Sequence, residues 1–202
     1  MDFSLFTVVL AAVVTLFSIV LHEVAHGAVA YYFKDRTAYV AGRLTLNPLP
    51  HIDIIGSVLV PLGAFLLAQT LFGWAKPVPV NPRNLVGKYA DFWVSAAGVL
   101  ANLFLVILAF MISFFLVQND MLTENAGKVL HMLLVVNLSL ALFNLIPVPP
   151  FDGMSILQSL FPKLRIQSTF IYNPFFIIAS IIVASFIYSI ISPYVFRFVL
   201  GG

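Results

Sequence analysis

Along this chain, long apolar runs alternate with short polar interruptions. Residues 3–21, 54–75, 92–117 and 166–196 carry no charge, and 129–151 contains only His131 among ionisable groups. About 20 apolar residues in a helix cross a hydrocarbon core of about 30 Å, so runs of this size predict membrane-embedded helices. The pattern places them at 4–33, 89–117, 124–145 and 173–198, with a short helix at 152–161. The first ends at the charged Lys34-Asp35-Arg36. The helix from 124 stops at the proline-rich 146–150, because proline lacks an amide donor and clashes with the preceding turn. One stretch breaks the helical pattern. TAYVAGRLTL, residues 37–46, is rich in β-branched and aromatic residues and is closed by Asn47-Pro48, which reads as a strand or hairpin within 36–50.

The expected fold class is therefore an all-α polytopic membrane protein. It has about five to six membrane-embedded helices and a short membrane-associated β-hairpin or strand near 37–46, in a single transmembrane domain over 1–202. Composition agrees: 61% of residues are hydrophobic and 9% charged, where a soluble domain carries roughly 25% charged residues. A net charge of +2 is too small to suggest a nucleic-acid partner. Cysteine is absent, which excludes disulfides and thiolate metal sites. The first apolar run lacks a basic leader, so it is expected to be a retained helix.

Into that first run the chain sets LHEVAHG, residues 21–27. Positions i and i+4 share a helix face, so His22 and His26 can present their rings to one point. Neutral imidazole nitrogen binds Zn²⁺ at about 2.0–2.1 Å. Glu23 is badly placed to complete the same tetrahedron, but it can bond a water in the open position and act as general base, the HExxH arrangement. The bland reading is a packing or relay histidine, but ionisable residues inside a membrane mark function by default.

A catalytic zinc takes three protein ligands, and His51, Asp53, Asp91, His131 and Asp152 are the candidates for the third. Asp152 is favoured. The prolines at 147, 149 and 150 unwind the chain before it, and Gly153 permits a tight turn. Zn²⁺ with ionised Glu23 and Asp152 also sums to zero charge in a low dielectric. His51 and Asp53 read as a turn and helix cap near the interface.

HEVAH on an early transmembrane helix, followed by NLSLALFNLIPVPPFDG at 137–153, resembles the site-2 protease family of intramembrane zinc metalloproteases. GRLTLNPLPHIDIIGS and GWAKPVPVNPRN are similar to its compact bacterial and archaeal branch, which lacks PDZ and CBS domains. The resemblance spans roughly residues 10–160. It implies that His22, His26 and Asp152 bind one Zn²⁺ per chain while Glu23 activates water. It also implies that Asn144 lies near the cleft, and that Asn102 in AGVLANL belongs to a second family motif, with Val99 at a place usually held by proline. For both asparagines the structural alternative is hydrogen bonding between helices.

The expected function is hydrolysis of peptide bonds in or near transmembrane segments of membrane-protein substrates, within the cell membrane. Unwound substrate backbone needs hydrogen-bond partners in lipid, and an edge at 37–46 would supply them by strand addition. The competing class is a metal transporter or metal-gated channel, which would repeat its ion site along a path or in an inverted repeat; neither is seen in the sequence.

Topology follows from charge. With the N-terminus outside, Lys34, Arg36, Arg43, Lys163 and Arg165 fall inside, as the positive-inside rule asks, and the site lies toward the cytoplasm. Asp152 meets the histidines only if 54–88 returns to the side it left. That segment is expected to re-enter as a helix broken at Pro61-Gly63, with 75–84 extended.

Overall fold

The computed structural model describes residues 5–54, 56, 75–164 and 174–200. The broken helix expected over 54–74, with Pro61 and Gly63, falls outside them apart from Ile54 and Gly56. Helix α1 spans Leu5–Tyr32, α2 Thr37–Val40, α3 Ala90–Gln118, α4 Glu124–Asn144, α5 Asp152–Leu160 and α6 Pro174–Leu200. Short 3-10 turns lie at Leu49–His51, Pro82–Asn84 and Pro162–Leu164.

Four of these helices, in α1, α3, α4 and α6, are long and apolar enough to cross a membrane. Large apolar side chains such as Phe104, Phe186 and Phe198 stay exposed on their outer faces. In water such a surface would aggregate; in lipid it is solvated. The chain is an integral membrane protein. The expected count of five to six embedded helices is not reached among the described residues. Helix α5 has nine residues, about 14 Å of rise, too short to cross.

The strand expected near 37–46 is corrected: no strand occurs among the described residues. The β-branched and aromatic residues there form one helical turn, α2, because local hydrogen bonds outweigh a weak strand propensity. The buried Asp35 carboxylate accepts from the Thr37 N–H at 3.0 Å and from the Thr37 hydroxyl, starting the turn. Gly42, at φ +66°, ends it, with Arg43 N–H donating to Ala38 O at 2.9 Å. The glycine that looked like a strand interior is a left-handed helix stop.

Helix α1 stops in a similar way. Lys34 takes φ 79°, and Asp35 N–H reaches back to Ala30 O at 2.9 Å. Helix α3 ends at Asp120, φ 53°, with Met121 N–H on Leu116 O at 2.8 Å. Thr123 then caps α4 by accepting from Ala126 N–H.

Helix α3 lies at the centre, packed on α1, α4 and α5. Ala96, Ala97 and Gly98 are buried along it. Small residues let helices approach closely, and in lipid association rests on such packing and on interhelical hydrogen bonds. Val106, Ala109, Leu130, Leu134 and Leu138 form an apolar core between α3 and α4. Beyond α1 the chain returns along 81–86 to the same end of the bundle. Asn84 Nδ2 donates to Asp35 Oδ1 at 3.0 Å, and Val86 N–H to Phe33 O at 2.9 Å.

Candidate active site

Helix α1 projects His22 and His26 from one face, and α5 begins with Asp152 opposite them. The prolines after α4 end that helix at Asn144, and Gly153 lets α5 start against it: a Cβ there would meet Leu145 O at 2.2 Å. His22 Nε2 and His26 Nε2 lie 3.1 Å apart, and Asp152 Oδ2 is 3.1 Å from the first and 3.2 Å from the second.

The tautomers follow from the outer partners. Asn137 Nδ2 donates to Leu133 O and Ser18 Oγ, which leaves its Oδ1 to accept from Asn102 Nδ2 at 2.9 Å. Asn102 Oδ1 therefore faces His22 Nδ1 at 2.7 Å and must accept. His26 Nδ1 faces the Val94 carbonyl at 2.6 Å, another acceptor. Both imidazoles carry their hydrogen on Nδ1 and turn an Nε2 lone pair inward.

Three bare donor atoms thus converge. Asp152 Oδ2 is buried and accepts no aligned hydrogen bond, as expected when neither Nε2 bears a proton. Left alone, two lone pairs and a carboxylate oxygen would repel. A cation resolves this, and the donor set suits zinc: tetrahedral bonds of about 2.0–2.1 Å set neighbouring ligand atoms about 3.3 Å apart. Gly98 on α3 leaves room for it. A Cβ at that position would stand 2.4 Å from His26 Nε2 and 2.5 Å from His22 Nε2.

The three side chains open onto a cavity of about 320 Å³ whose walls include Glu23, Val78, Ser95, Asn144 and Ser155. Glu23 Oε2 accepts from Val78 N–H at 2.8 Å, so the segment that carries Val78 fixes one carboxylate oxygen.

The chain resembles known peptidases. Residues 116–190 match the model of Peptidase family M50. Over 151 residues, 72% of the chain, the sequence is 38% identical to "Putative zinc metalloprotease YwhC" of Bacillus subtilis (strain 168). The chain belongs to peptidase family M50. The chain spans 66% of that relative's length. No solved structure matches.

For an M50 chain, the sequence-derived residues sort clearly. The structure brings His22, His26 and Asp152 within contact and sets Glu23 and Asn144 on the same cavity. Asn144 Nδ2 donates to Leu140 O on its own helix. Asn102 touches His22 directly. His51 is buried elsewhere, its Nε2 against Thr45 O at 2.9 Å, and Asp53 accepts from Gly56 N–H. His131 is exposed on α4 and Asp91 at the cavity mouth.

Ser18, the Val94 carbonyl, Gly98, Val78 and Asn137 were missed. Asn137 had a signal. It stands seven residues before Asn144, two helical turns along one face.

Proposed function

We propose that this M50 chain is an intramembrane zinc endopeptidase cutting in or near the transmembrane segments of membrane-protein substrates, in one domain over 1–202. The observation that carries the reading is the triangle of His22 Nε2, His26 Nε2 and Asp152 Oδ2 beside Glu23 on one cavity. Those three residues would hold one Zn²⁺. When bound, zinc polarises a scissile carbonyl and makes water a stronger nucleophile at neutral pH.

The remaining chemistry falls to the protein. Glu23 takes a proton from the attacking water and returns it to the leaving amine. The Val78 N–H holds Oε2 and leaves Oε1 for those transfers. Asn102 fixes the His22 tautomer, with Asn137 and Ser18 fixing Asn102 in turn, and the Val94 carbonyl does the same for His26; such partners keep ligand rings in register. Asn144 stands on the cavity wall where substrate backbone would pass. A transporter would string donors along a path, and among the described residues the His22-His26-Asp152 group stands alone.

The site belongs toward the cytoplasmic end of the cell membrane. His26 is six residues from the end of α1 at Tyr32, about 9 Å of helix. Lys34, Arg36, Arg83 and Lys88 gather at that end, as cytoplasmic loops do.

Glu23→Gln is the direct test. Purified variant should keep its zinc by metal analysis while cleavage falls by about 10²–10⁴-fold, the usual contribution of a general base. Cleavage near the wild-type rate would remove Glu23 from this role.

A further inference from the structure

The hydrogen bond that holds Glu23 is itself held from a distance. Its donor, Val78, lies two residues after Lys76. Lys76 N–H donates to His51 O at 2.9 Å, and Lys76 O accepts from Arg43 Nη2 at 2.6 Å. Only Pro77 stands between Lys76 and Val78. Its ring restricts φ there and keeps Lys76 extended. Few free dihedrals remain, so the place where Lys76 O is tied decides where the Val78 N–H points.

Arg43 is a demanding residue to use for such a tie. It is 7% exposed, and arginine is almost never fully buried unless paired. Among the described residues no carboxylate makes an ion pair with it, and its buried Nε has no hydrogen-bond partner. The guanidinium is thus committed to Lys76 O. A hydrogen bond from an ionised donor is roughly twice as strong as a neutral one.

Helix α1 is shaped to receive both ends of this link. Gly27 stands four residues after Glu23 and shares its face. A Cβ there would meet Leu44 Cδ2 at 2.6 Å, Val78 Cγ1 at 2.8 Å and Ala38 Cβ at 3.1 Å. The glycine therefore lets α2, the residue after Arg43 and Val78 all rest on α1 one turn from Glu23. Arg43 N–H on Ala38 O fixes the root of the arginine to α2.

We propose that Arg43 is a positioning residue for the general base. By holding Lys76 O, its guanidinium sets the Val78 N–H on Glu23 Oε2 and so aims Oε1 at the attacking water. The inference rests on the peptidase reading of the site. Arg43 is not among the residues that wall the cavity, and it bonds to neither zinc-site histidine. Its effect passes through Lys76, Pro77 and Val78. His51 O still holds Lys76 when Arg43 is changed, so zinc should stay bound.

The test uses full-length protein and two readouts. Cleavage is followed in phosphatidylethanolamine–phosphatidylglycerol vesicles on a quenched fluorescent leucine-alanine transmembrane peptide with a Gly-Ser centre. Arg43→Met keeps the length of the side chain and deletes the donor. Its kcat should fall about 10- to 100-fold, as for a misplaced catalytic group, with KM and zinc content unchanged. In the Glu23→Gln background the same substitution should cost nothing further. The second readout is the Val78 amide resonance in protein labelled with ¹⁵N-valine and held in detergent micelles. Arg43→Met should shift it in the direction that Glu23→Gln does. Arg43→Lys, which retains a charged donor, should return both kcat and the resonance toward wild type. An unmoved Val78 resonance in Arg43→Met, or an equal loss of cleavage in the Glu23→Gln background, overturns the proposal. If Arg43→Met fails to fold, Arg43→Lys and Arg43→Gln decide: kcat must follow the Val78 resonance, and a fall in one without the other overturns it. The resonance needs no turnover, so it decides the Arg43 link by itself. Failure of the peptidase reading shows separately, as cleavage undiminished by Glu23→Gln.

Discussion

Gly98 has a tight clearance against the rings of His22 and His26, and spacing along the sequence could not show it. Its missing Cβ is what lets α3 stand against both imidazoles. Gly98→Ala should therefore lower zinc affinity by more than the 10–100-fold typical of losing an orienting partner, as read by competition with a chelator. Wild-type affinity would mean that the rings can retreat. HEVAH and Asp152 were legible because their residue types are scarce in so apolar a chain, and each has a chemistry that a lipid-facing residue lacks. Asn102 was legible through its motif. The backbone groups of Val94 and Val78 were not, because every residue has them and only the fold decides which are used.

At the level of elements, helices were legible from apolar length, and the segment joining α1 to the site was not. Residues 37–46 have strand-like composition, but the sequence does not show that Asp35 is buried and accepting from Thr37, Asn81 and Asn84. That carboxylate locks α2 and the 81–84 turn to the end of α1. Burial alone would raise its pKa, yet the hydrogen bonds from Thr37, Asn84 and Asn81 outweigh burial and hold it below its ordinary 3.8. A depressed carboxylate contributes stability that is complete above the unfolded pKa and lost as pH falls through the folded one. The melting temperature of detergent-solubilised wild type should thus exceed that of Asp35→Asn at neutral pH. The gap should close as the pH drops below 3.8, and a gap constant with pH would remove Asp35 from this role.

For the whole molecule, the ends of the bundle carry the argument. Asn84 beside Asp35 and Val86 beside Phe33 put the start of α3 at the same end as the close of α1. Gln118, at the far end of α3, lies opposite. The native chain has no cysteine, so single cysteines are clean reporters. In intact cells an impermeant thiol reagent should label Gln118→Cys and spare Asn84→Cys; outside labelling at 84 would reverse the orientation. The four described spans were legible from apolar length, while the expected re-entry over 54–74 falls almost wholly outside the described residues. The assembly of the donor triangle also bears on biogenesis. A ribosome delivers His22 and His26 in the first helix, while Asp152 emerges more than a hundred residues later. Until then α1 offers two imidazoles, a poor site, and no third ligand can close on them. With the proposed ligand set, metal capture would therefore wait for α5. On that proposal, a chain stalled or truncated before α5 would lack the third ligand and leave no half-built hydrolase loose in the bilayer.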